Sequence, residues 1–144
     1  MPQHYEPLEP ELESMIRARL AGNPIINFLG VEVPELGRGY AKFVLPFRSG
    51  YANSIGLLQG GMIASLADEA VAYALWSLTP GEETISTVEM KINFLAPVRQ
   101  GPVTAVARII RRGRTISLGD VEVFGPEGKM AAKGLCTYIH LQPR

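Results

Sequence analysis

Hydrophobic positions along this chain form one helical block, and most of the remaining sequence alternates. From Gln59 to Leu78 (QGGMIASLADEAVAYALWSL) apolar residues recur at helical spacing: Met62, Ile63, Leu66, Ala67, Ala70, Val71, Ala74, Leu75 and Leu78. They cover most of the circumference, which predicts a long helix enclosed by other elements of its own domain. Ahead of it, Glu11 to Leu20 carries Leu12, Ile16 and Leu20 on one side, a short amphipathic helix stopped by Gly22-Asn23-Pro24. Ile25 to Leu29 is an apolar connector. Gly30 to Val33 and Tyr40 to Phe47 read as hairpin strands around Gly37-Arg38-Gly39.

Beyond Thr79-Pro80-Gly81 the chain is nearly all strand. Thr84 to Leu95 sets Val88, Met90, Ile92 and Phe94 on one face and Thr87, Glu89, Lys91 and Asn93 on the other. Val103 to Arg112 alternates with small alanines at 105 and 107, which leaves room for the long helix. Thr115 to Phe124 changes its apolar register between Ile116/Leu118 and Val121/Val123, which predicts a bulge at Gly119. Lys129 to Leu141 is the last strand. The class is α+β, an antiparallel sheet wrapped around one long central helix. Residues 1–24 divide off as an N-terminal tail and short helix, with Met1 to Pro10 expected to be loose, and 25–144 form the main domain.

Composition narrows the possibilities. The 144 residues suit one domain, and 47% hydrophobic with 19% charged residues suits a globular one. Fourteen basic and fourteen acidic residues cancel, so no global field attracts nucleic acid or an anionic membrane. A lone cysteine, Cys136, and no apolar leader segment point to a cytoplasmic protein. The two histidines, His4 and His140, lie near opposite ends, so no metal-binding motif is formed and no cofactor is implied. Ser65 lacks the setting of a nucleophile elbow.

The chemistry left over sits on the long helix. Asp68 and Glu69 are the only charged residues between Arg48 and Glu82, inside an otherwise apolar run. Such carboxylates are costly unless paired, hydrogen-bonded or hydrated. Asp68 shares a face with Gly61, two turns earlier, whereas Glu69 points about 100° away, toward a base such as Arg48 or Lys91. At the helix entrance, Gly60 and Gly61 leave amides without intrahelical partners, and the helix dipole adds positive charge there. That arrangement can hold an oxyanion. About 12 Å of helix separates Gly60 from Asp68, too far for one small group within one subunit. An antiparallel second copy would bring Gly60 of one chain to Asp68 of the other. Gln59, Asn53 and Thr87 each carry polar groups that equally suit a cap, a loop and a strand. The turn Arg111-Arg112-Gly113-Arg114 reads as a solvated hairpin or as a phosphate clamp.

The segment Asn53 to Gly61, continued through Leu66 to Asp68, resembles the Asn…His-Gly-Gly…Asp region of hotdog-fold acyl-CoA thioesterases of the PaaI type. TVEMKINFLAPVRQGP and RGRTISLGDVEV resemble the strands that follow it. The resemblance implies an acyl-CoA substrate and a homodimer that assembles into a homotetramer. It also implies Asp68 as the catalytic carboxylate, Gly60 N–H polarising the thioester carbonyl, and Asn53 and Thr87 as supporting polar groups. Arg111, Arg112 and Arg114 fall where the coenzyme A phosphates lie. Gln59 replaces the histidine usual in this family: it can donate a hydrogen bond but cannot become cationic. The same pattern also suits a non-catalytic acyl-CoA-binding or regulatory protein.

Overall fold

The computed structural model describes residues 5–79 and 81–143. Helices α1 (Pro10–Ala21) and α2 (Pro24–Leu29) precede a hairpin, β1 (Glu32–Gly37) and β2 (Tyr40–Leu45). The long helix α3 (Gly60–Trp76) follows, then β3 (Thr84–Phe94), β4 (Val103–Arg112), β5 (Ile116–Phe124) and β6 (Met130–Leu141). The six strands form one antiparallel sheet in the order β1-β2-β4-β5-β6-β3. This is the hotdog arrangement, a sheet curled around one helix.

Small residues let the sheet close onto α3. Ala41, Ala105 and Ala107 are fully buried beneath it. A Cβ on Gly119 would lie 2.3 Å from the Val71 side chain, so only glycine admits the helix there. On α3 itself Ile63, Leu66, Ala67, Ala70, Val71, Ala74 and Leu75 are buried. Its apolar circumference predicted complete enclosure, yet Gly61 and Ser65 are exposed and Asp68 and Ala72 half-exposed. The sheet curls over one side only and leaves this stripe uncovered.

Three other expectations change. The bulge forms in β4 rather than at Gly119: Ile109 pairs with Gly119 and Arg111 with Leu118, leaving Ile110 unpaired. Strand β5 keeps one in–out alternation throughout, with Ser117, Gly119, Val121 and Val123 facing inward, so Ile116 and Leu118 belong to the outer face. In β3 a second bulge, at Val88, breaks the simple alternation: Thr87 pairs with Tyr138, and Glu89 with Thr137. Thr87 therefore shares the inner face with Met90 and Ile92 instead of opposing them, because an inserted residue inverts the pleat. The N-terminal segment is also less loose than expected. Residues 1–4 fall outside the described residues, but Tyr5 stacks on Tyr40 with ring centroids 4.3 Å apart, and Leu8 is buried.

Candidate active site

Strand β6, the Val88 bulge in β3 and the middle of α3 converge on Asp68. Thr87 Oγ1 donates a hydrogen bond to Asp68 Oδ1 at 2.9 Å. The Tyr138 hydroxyl reaches the same Oδ1 and lies 2.6 Å from the Asp68 carbonyl oxygen. Burial, and next the Asp68 charge, raise the Tyr138 pKa far above the ordinary tyrosine value, so Tyr138 acts as a proton-bearing donor to the carboxylate. The same two causes push the Cys136 thiol up to about 12. That cysteine is fully buried core, not a nucleophile.

Asp68 opens into a cavity of about 480 Å³, with Glu69, Tyr73, Asn23, Thr87 and Tyr138 in its wall. Glu69 does not reach Arg48 or Lys91. Its Oε2 accepts from Asn23 Nδ2 at 3.3 Å, and the same amide donates to the Tyr73 hydroxyl at 3.0 Å. Asn23 Oδ1 meanwhile accepts from Ile25 N–H at 3.2 Å, capping α2. One side chain thus ties the α1–α2 junction to α3. Burial first, then the Asp68 charge, raise the Glu69 pKa, with the Asn23 bond opposing them. Arg48 is engaged by the Phe28 carbonyl and the Tyr51 hydroxyl, and Lys91 by Asn93 on the outer side of the sheet edge.

The helix entrance forms a separate cavity of about 300 Å³, lined by Asn53, Gly60, Ile63 and Phe94 among others. Gln59 occupies the N-cap position, but its side chain makes no capping bond. A Cβ on Gly60 would meet the Phe94 ring at 3.2 Å, so glycine lets that ring lie over the helix mouth. Gly61 is exposed on the uncovered stripe. Asn53 Oδ1 accepts from the Ile55 and Leu57 amides at 3.1 and 3.0 Å, which organises the loop before the helix. Within one chain, then, Asp68, Thr87 and Tyr138 come together in one cavity, and Gly60 and Asn53 in another.

The basic turn lies at the far end of α3. Arg112 is held by Glu83 at 2.8 Å and by the Leu78 carbonyl at 3.1 Å, and is half-buried. Arg111 and Arg114 are exposed beside a cavity of about 480 Å³. Among the described residues no three His, Cys, Asp or Glu side chains gather as a metal site requires, and no helix is long and apolar enough to cross a membrane.

Residues 55–132 match the model of a family described as the thioesterase superfamily. The chain belongs to that superfamily. A Saccharolobus solfataricus protein named as an esterase is 32% identical over 126 residues, covering 88% of this chain and 83% of its own. The Escherichia coli 1,4-dihydroxy-2-naphthoyl-CoA hydrolase is 24% identical over 113 residues, with 78% and 83% covered. The E. coli PaaI protein, from the phenylacetic acid degradation operon, superposes with a TM-score of 0.86 at 23% identity, covering 94% of this chain and 96% of its own. This protein is a hotdog-fold thioester hydrolase of that superfamily, and it shares its fold with the PaaI protein.

Sequence reasoning missed Tyr138 and Asn23. Tyr138 is a polar tip on the inner face of a strand whose neighbours Ala132, Gly134 and Cys136 are small. That pattern marks a position kept open for a group reaching out from the helix.

Proposed function

We propose that the enzyme hydrolyses an acyl- or aryl-CoA thioester at a site shared between two chains, with Asp68 as nucleophile or general base. The observation carrying this reading is that a carboxylate held by two hydroxyls stands in an open cavity, while the Gly60 amide stands in a different one. Two neighbouring chains with antiparallel α3 helices supply both halves at once. The uncovered stripe on α3 and the eleven-residue edge strand β3, paired on one side only, are the surfaces such a dimer would use.

In this mechanism the Gly60 N–H and the α3 dipole hold the thioester oxygen as charge develops on it. Gln59 supplies a further neutral donor from its exposed N-cap position. Thr87 and Tyr138 fix the Asp68 carboxylate for addition to the face of the thioester carbonyl, or for proton removal from a water that adds there. The C–S bond breaks and the thiolate leaves as coenzyme A: in the general-base route it takes the proton that Asp68 removed from water, and in the nucleophilic route water then hydrolyses the Asp68–acyl anhydride, releasing the free acid and the proton and restoring the carboxylate. Asn53 shapes the loop that presents Gly60 and does not touch Asp68 of its own chain. An aryl acyl group is supported by the name of the E. coli hydrolase relative.

Asp68→Asn tests the assignment, since an asparagine oxygen still accepts from Thr87 and Tyr138 and only the charge is lost. Thiol release from a panel of acyl- and aryl-CoA thioesters should fall by about 10³-fold or more. Turnover equal to wild type would remove Asp68 from the mechanism. Binding of coenzyme A without turnover of any thioester would favour the non-catalytic reading.

A further inference from the structure

A fourth cavity, of about 370 Å³, lies between the β3–β4 loop and the β5–β6 turn, and the proposed reaction makes no use of it. Arg99 and Gln100 line it from the loop, and Glu127 and Lys129 from the turn. Both cations are exposed, and among the described residues neither is engaged in an ion pair. Six of the seven ion pairs engage the cations Arg17, Arg38, Lys42, Arg112 and Lys133; Arg99 and Lys129, like Arg111 and Arg114, are in none of them, and of these only Arg99 and Lys129 line a cavity that borders the one holding Gly60.

This cavity adjoins the helix mouth. Ala96, Pro97 and Val98 line both it and the cavity that holds Gly60. The Val98 carbonyl accepts from Leu58 N–H at 2.8 Å, just ahead of the α3 entrance. On the other side, Leu95 N–H donates to the Ala131 carbonyl at 2.8 Å, and the Lys129 carbonyl accepts from Gly125 N–H at 2.9 Å within its own turn. Backbone hydrogen bonds therefore fix the loop and the turn that carry the two cations relative to the helix mouth.

We propose that Arg99 and Lys129 bind the phosphate groups of the thiol-bearing arm of the substrate, whose thioester carbonyl sits at Gly60. The inference rests on the thioesterase reading and adds a place for the leaving group. A thioester held at the helix mouth has its acyl part toward one side and its thiol part toward the other. Residues 96–98 form a continuous floor leading from the carbonyl to the two cations. Guanidinium and ammonium groups pair with phosphate through charge-assisted hydrogen bonds, and Gln100 adds an amide donor. Glu127 on the same rim repels phosphate and limits how tightly the product is held. Arg112, by contrast, already satisfies Glu83 and a backbone carbonyl.

The test uses free coenzyme A, whose binding needs no knowledge of the acyl group. Calorimetry on the full-length protein measures Kd for coenzyme A in wild type, in Arg99→Ala/Lys129→Ala, and in Arg111→Ala/Arg114→Ala. The first double variant should bind about tenfold more weakly, and the second as wild type does. Glu127→Gln should tighten binding, and added salt should shrink both effects. With substrates, Arg99→Ala/Lys129→Ala should raise KM for CoA thioesters while leaving KM for the matching N-acetylcysteamine thioesters, which lack phosphate, as in wild type. Unchanged coenzyme A affinity in that variant, or a loss confined to the Arg111/Arg114 variant, overturns the proposal even if hydrolysis stands. Weakened coenzyme A binding in a protein that hydrolyses no thioester supports the phosphate site and removes the catalytic reading instead.

Discussion

Asp68 is held by hydroxyl donors rather than by a cation, which leaves its charge available for chemistry. Tyr138→Phe removes one donor with almost no change of shape. Losing a hydrogen bond to a charged group costs about 1.5–3 kcal/mol, so kcat should drop roughly 10- to 150-fold while the melting temperature stays close to wild type. Steady-state kinetics beside a thermal melt separates the two effects. Glu69 next door makes a pH prediction. Its pKa is raised in the folded protein, so the native state binds more protons than the unfolded one above the ordinary glutamate value of 4.5. Its contribution to stability is complete below that value and is lost as pH rises through the folded pKa. Glu69→Gln keeps an acceptor for Asn23 and cannot ionise. It should raise the melting temperature relative to wild type at pH 7 and not at pH 4.

At the scale of elements, the long helix was legible in the sequence almost to the residue, because a run of apolar positions at helical spacing bounded by Gly-Gly and Thr-Pro-Gly leaves little choice. The hairpin at Gly37-Arg38-Gly39 and the turn after Arg112 were legible for the same local reasons. The bulges were not. A strand with an inserted residue has the same composition as one without, and only pairing with β6 reveals that Val88 is extra. Thr87 consequently read as outward-facing from alternation alone, and the outer-face residues Ile116 and Leu118 mimicked a register change. The partner of Glu69 was misjudged because charge suggested a base, whereas the nearest group in space is an amide 46 positions earlier. Of the candidate site, Asp68 and Gly60 stand out in the sequence by type and spacing, while Tyr138 depends on long-range register. Packing at Gly119 offers a check on the sheet–helix contact. Gly119→Ala places a methyl against Val71 and should destabilise the fold by about 1–3 kcal/mol, read as a lower denaturant midpoint.

For the whole molecule, the division of the site into two cavities makes complementation the decisive assay. Asp68→Asn and Gly60→Val chains should each be inactive alone, the first lacking the carboxylate and the second displacing Phe94 from the helix mouth. Unfolded together and refolded as a mixture, they should regain activity, since each mixed pair contains one site with both halves intact. No recovery would place the whole reaction within one chain. Strand β3, with Val88 and Phe94 both more than half exposed, carries a second consequence. In the proposed dimer this edge recognises its own copy, and it should then recognise an imitation of it. A synthetic peptide spelling out Thr84–Phe94 would act as a decoy, capping newly folded chains one at a time and slowing the appearance of active enzyme during refolding.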